Sequence, residues 1–113
     1  MQAWPPVDLD PECRLLCEAV NSLSGLRTYE SCCGHGIHPF WVFFYARGGQ
    51  AVYSLADLGF WLDKRHCGIS GWHCELDAPE QTWRGRRRSS FLIVGPPGDY
   101  EGANEIASLI IRE

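Results

Sequence analysis

Leu9, Cys13, Leu16, Cys17, Val20 and Leu23 recur at the spacing of one helical face. Asp10 followed by Pro11 supplies a helix start, with the aspartate as N-cap and proline in the first turn, and Ser24-Gly25 supplies the stop. The pattern then changes period. Arg27 to Cys33 fits a short strand ending in the turn Gly34-His35-Gly36, and Pro39 to Ala46 is a second strand that is apolar on both faces. A second helix is expected from residue 51 or 54 to Arg65, with Val52, Leu55, Ala56, Gly59 and Leu62 inward and Ser54 with Asp57 as a capping pair. Ile69 to Asp77 alternates, with Trp72, Cys74 and Leu76 on one face and His73, Glu75 and Asp77 on the other. A polar loop over 78–89 leads to the strand Phe91–Val94. Asp99 then caps a last helix that turns Tyr100, Ala103, Ile106, Ala107 and Ile110 inward.

The order α-β-β-α-β-β-α predicts an α+β fold: a mostly antiparallel sheet with helices packed on one face. Residues 1–8, with Pro5-Pro6, are expected to form an N-terminal arm, and 9–113 a single domain. Trp41, Phe43 and Tyr45 alternate with Phe40, Val42 and Phe44, so aromatics lie on both faces of the second strand. The face away from the helices is then expected to be covered by the arm, by a ligand or by a second copy in a homodimer.

With 113 residues and 21% charged side chains, the chain has the composition of one globular domain. Its net charge of −4 argues against a broad nucleic-acid-binding surface. No apolar run is long enough for a membrane span, and the first residues lack the basic and apolar regions of a secretory signal. The expected location is therefore cytoplasmic. There the six cysteines at 13, 17, 32, 33, 67 and 74 would serve as core thiols, metal ligands or reactive groups rather than as a disulfide framework. Cys13 and Cys17 fall on the apolar stripe of the first helix and read as core.

The candidate chemistry lies in Thr28–Phe44, "TYESCCGHGIHPFWVFF". Gly34 and Gly36 permit positive φ and close backbone approach, so their amides can hold an anion. Thr28 and Ser31 add hydroxyls, Cys33 a thiol, and His35 and His38 donors that switch near neutral pH. Arg27, or Arg86 with Arg87 and Arg88, would add charge if they fold near the turn, and Trp41 or Trp72 could stack a base. This set predicts a non-catalytic binding site for a small anionic, nucleotide-like ligand. A zinc site is the alternative, with Cys32, Cys33, His35 and His38 as ligands and His66, Cys67, His73 and Cys74 as a second cluster. Cys33 beside His35 could also be an activated nucleophile. Strict strand alternation would put Cys32 and Cys33 on opposite faces.

The motif T-x-x-S-C-x-G-H over Thr28–His35 occurs with "DPECRLLCEAVNSLSGLRTYESCCGHG" and "FLIVGPPGDYEGANEIASLI". Together they resemble a family of small proteins from bacteria and their phages. One form that this resemblance gives the binding reading is a phage-type sponge for a nucleotide immune signal. More distantly, the chain resembles the wyosine-pathway tRNA methyltransferases, whose strand ending in S-C-S-G-Arg is matched by Ser31, Cys32 and Gly34. Cys33 stands at the serine and His35 at the arginine. This likeness implies S-adenosylmethionine at the same turn and an enzyme that modifies a nucleotide or RNA.

Overall fold

The computed structural model describes residues 9–62, 71–83 and 86–112, with backbone only over 79–87 and at Arg112. The expected arm and the His66/Cys67 half of the second cluster lie outside these residues.

A single turn of 3-10 helix, Pro11–Cys13, leads into α1, Arg14–Asn21. Next come β1, Leu26–Cys32, a second 3-10 turn, Gly34–Gly36, and β2, Phe40–Ala46. Helix α2 covers Gln50–Leu62, β3 His73–Trp83, β4 Arg86–Gly95 and α3 Tyr100–Arg112. The four strands form one antiparallel sheet in the order β1-β2-β4-β3. This is the expected α+β fold. No helix among the described residues is long and apolar enough to cross a membrane.

Strand β2 alternates between buried and half-buried positions along its whole length. Phe40, Val42 and Phe44 join Ile93 of β4 in the core. Over them pack Leu16, Cys17 and Val20 from α1, Ala51, Leu58 and Leu62 from α2, and Ala103, Ile106 and Ile110 from α3. The three described α-helices therefore contribute to one hydrophobic layer on one face of the sheet. The other face carries Tyr29, Trp41, Phe43 and Tyr45, whose rings pack on one another. Arg88 sits over the Tyr45 ring, 3.7 Å from its centroid.

Strand β1 changes phase once. Thr28 pairs with Phe44 but Glu30 pairs with Phe43, so Tyr29 is an extra residue in a β-bulge. Leu26 and Thr28 face the helices before the bulge, and Ser31 faces them after it. Cys32 lies directly opposite Trp41, on the open face.

Three expectations need correction. Helix α2 buries Ala51, Ser54, Leu58, Trp61 and Leu62 instead of the stripe through Val52, Ala56 and Gly59. Val52 is 66% exposed. The helix is apolar nearly all round, so its sequence does not select a single face. Ser54 is not a cap: its buried hydroxyl donates to the carbonyl of Ser24 at 2.7 Å. Residues 78–83 and 86–89 do not form a loop either, and the rest of the expected loop lies outside the described residues. Both stretches belong to a long β3–β4 hairpin, with Thr82 opposite Arg87 and Trp83 opposite Arg86, because ladder pairing overrides the polar composition.

The last helix is as expected. The Asp99 carboxylate accepts from the Gly102 amide at 3.0 Å and from the Trp72 indole at 2.8 Å. The Trp72 ring lies so close over Gly95 that an added Cβ there would meet it at 2.5 Å.

Candidate functional site

The turn between β1 and β2 is built by left-handed backbone. Gly34 and Gly36 have φ of 76° and 79°, and His35 between them adopts φ 54°, ψ 30°. A side chain at Gly34 would meet the Pro39 carbonyl oxygen at 2.8 Å. His35 is the sole non-glycine residue with positive φ among the described residues, which marks it as strained.

The strand ends at Cys32, and Cys33 has helical φ and ψ. Strand alternation therefore does not place Cys33, yet the thiols part as expected, Cys33 buried in the core and Cys32 half-buried on the open face. Both meet the same imidazole. Cys32 Sγ lies 3.9 Å from His35 Nε2, and Cys33 Sγ lies 3.6 Å from His35 Nδ1. Backbone amides point at both sulfurs: Gly34 N–H donates to Cys32 Sγ at 3.3 Å and His35 N–H to Cys33 Sγ at 3.4 Å.

Asp10 completes the cluster from outside the motif. It stands at the first N-cap position, but its carboxylate makes no cap bond and accepts the Cys33 amide at 3.0 Å. Asp10, Cys32 and His35 can each present a ligand atom within 4.8 Å of the others. Cys33 is 2% exposed, and burial pushes its thiol up, as the Asp10 carboxylate also does, against a lowering by the His35 amide and the Tyr100 hydroxyl. Tyr100 is raised by desolvation and by Cys33 beside it.

Other candidates lie elsewhere. Ser31 faces the helices, where its hydroxyl acts to lower the thiols of Cys13 and Cys17 against the larger rise from burial. Thr28 is held by Asn21: its amide donates to Asn21 Oδ1 at 2.7 Å and its hydroxyl accepts from Asn21 Nδ2 at 3.0 Å. His38 is exposed, its amide bonds to the Gly34 carbonyl at 2.9 Å, and it does not share the ligand cluster among the described residues. Trp72 is buried beneath α3 and tied to Asp99. Trp41 stays on the open face beside Cys32.

Register separates the remaining groups. Cys32, Trp41, Val94 and His73 form one row across the four strands. At about 4.8 Å per strand, His73 is roughly 14 Å from Cys32 and cannot share a metal with it. His73 instead pairs with Glu75 at 2.6 Å, and Cys74 faces the other side of the sheet beside Ile93. Arg86 lies eight positions along β4 from Val94, a strand distance on the order of 27 Å. Arg27 pairs with Tyr45, four positions from Trp41, or roughly 13 Å away. Both positions belong to the end of the sheet opposite the turn.

The sequence signal for Asp10 pointed to helix capping, and only the fold brings it to the thiols. No family model matches this chain, and no curated protein or solved structure matches it either.

Proposed function

We propose that the chain is a non-catalytic binding domain whose ligand seat is the junction of the Cys32–His38 turn with Trp41. The ligand is a small molecule with a flat ring and an anionic group, a nucleotide-like chemistry. The observation that carries this reading is the direct pairing of Cys32 with Trp41. It sets a polar, strained turn beside an aromatic surface on the face of the sheet that carries no helix among the described residues. Trp41 would stack the ring, and His35 and His38, both exposed, would donate to the anionic group.

The amides of Cys33, Gly34, His35, Ile37 and His38 are engaged by Asp10, by the two thiols and by the Gly34 carbonyl. An amide nest therefore does not supply the affinity for an anion, and side chains must do so.

Thermal shift of the purified chain against nucleoside mono-, di- and cyclic phosphates and S-adenosylmethionine tests the proposal, with and without added zinc. A ligand at about 100 times its dissociation constant adds ~2.7 kcal/mol. That corresponds to a rise on the order of 10 °C for a domain of this size. Trp41→Ala should abolish the rise. If no compound raises the midpoint in either condition, the ligand reading fails.

A second reading is a homodimer through the open sheet face, favoured by the aromatic surface of Tyr29, Phe43 and Tyr45. Native mass spectrometry separates the two: a dimer without a bound small molecule supports this one.

A further inference from the structure

We propose that Asp10, Cys32 and His35 hold one zinc-class divalent cation, with a fourth coordination position open to solvent. The inference rests on the placement of the ligand seat at the turn and names what the turn itself binds. Three kinds of donor suited to zinc, a carboxylate, a thiol and an imidazole, come together from two separate segments of the chain within 4.8 Å. In a tetrahedral site with bonds of about 2.0–2.3 Å, neighbouring ligand atoms stand roughly 3.6 Å apart. The 3.9 Å between Cys32 Sγ and His35 Nε2 is already close to that edge.

The surroundings suit the role. The Gly34 amide points at Cys32 Sγ at 3.3 Å and sets a partial positive charge against a ligating sulfur. Cys33 Sγ faces the other nitrogen of His35 at 3.6 Å. A proton on Nδ1 directed at that sulfur leaves the Nε2 lone pair toward Cys32, the usual way in which an outer group fixes a ligating histidine. Cys33 is thus a support for the ring and not a ligand. The Asp10 oxygen that accepts the Cys33 amide holds the carboxylate in place. Asp10 and Cys32 are half-buried and His35 is exposed, so the fourth position is reached from solvent.

A cation there also answers a difficulty of charge. Asp10 would repel an anion at this turn. A divalent ion reverses the local sign and, in place of the His35 donor that it engages as a ligand, offers its open position to a phosphate or carboxylate, with His38 left to donate.

The test is titration of the full-length, reduced, metal-free chain with Zn²⁺ alone, read by native mass spectrometry and by competition with a chromophoric chelator. Co²⁺ serves as the spectroscopic probe. One ion per chain is expected, with a thiolate-to-cobalt charge-transfer band. Asp10→Asn, Cys32→Ser and His35→Gln should each weaken binding by at least about tenfold, and Cys32→Ser should remove the band. Cys74→Ser, on the other face of the sheet, should change neither. His35→Gly, which relieves the left-handed backbone, provides a folded variant if the others lose structure. Absence of a bound ion, or binding that survives Cys32→Ser or depends on Cys74, overturns the proposal. Nucleotide binding that persists in a chelator would leave the ligand seat standing and defeat the metal. Zinc binding without any nucleotide shift would do the reverse.

Discussion

Asp10 Oδ2 accepts a 3.0 Å hydrogen bond from the backbone amide of Cys33, twenty-three residues further along the chain. The bond ties the entry to α1 to the end of β1, and its acceptor is a carboxylate. Hydrogen bonds to charged groups contribute about 1.5–3 kcal/mol. Asp10→Ala is expected to lower stability by about 2 kcal/mol in chemical denaturation. Asp10→Asn keeps an acceptor oxygen and should recover at least half of that loss.

The conformation of His35 makes a separate prediction. A non-glycine residue in the left-handed region costs about 1–2 kcal/mol, while glycine adds about 0.5–1 kcal/mol of unfolded-state entropy. The two nearly cancel, so His35→Gly should stay within about 1 kcal/mol of the parent. A β-branched residue cannot use the same backbone, and His35→Val should be less stable than His35→Gly by more than about 1 kcal/mol.

The described thiols differ in access. Cys13, Cys17 and Cys33 are buried, whereas Cys32 is half-buried at the surface turn. Brief alkylation of the native protein followed by peptide mass spectrometry should therefore modify Cys32 well before these three.

Burial also predicts an alkaline limit. Desolvation pushes the Cys13 thiol up to about 12 and the Cys74 thiol up to about 11, from an ordinary 9.0. In the unfolded chain these thiols lose their protons near pH 9, while in the native protein they keep them. The folded state then binds more protons, and stability falls as pH rises from about 9 toward 11. Each thiol contributes a slope of up to about 1.4 kcal/mol per pH unit. Denaturation midpoints between pH 8 and 11 should show the decline, and Cys13→Ala should make it shallower.

The two faces of β2 should respond differently to truncation. Phe44 is fully buried, and Phe44→Ala is expected to cost about 3–5 kcal/mol. Phe43 is half-buried on the open face, and Phe43→Ala should cost less than half as much. Equal losses in urea denaturation would mean that the open face is covered as completely as the core.

The periodicity of α1, β2 and α3 was legible because each has one strongly apolar face, set by Leu16 and Val20, by Phe40 and Phe44, and by Ile106 and Ile110. Helix α2 was legible as a helix but not in its orientation, since Val52 and Phe60 are as apolar as the Leu58 and Leu62 it buries. The turn could be placed from its glycines. Its composition could not reveal that Asp10 joins it, because the contact depends on how α1 docks against β1. Nor could composition show that Arg86 is carried away from it, because that follows from pairing between β3 and β4.

The bulge at Tyr29 acts as a change of parity. Continued without a break, the alternation that turns Leu26 and Thr28 inward would also turn Glu30 and Cys32 into the helix layer and expose Ser31. One unpaired residue reverses the assignment, so a carboxylate escapes burial and a thiol reaches the rim of the turn. The strand is therefore written in two reading frames. The first serves the interior, and the second delivers Cys32 to the surface where Asp10 and His35 meet it.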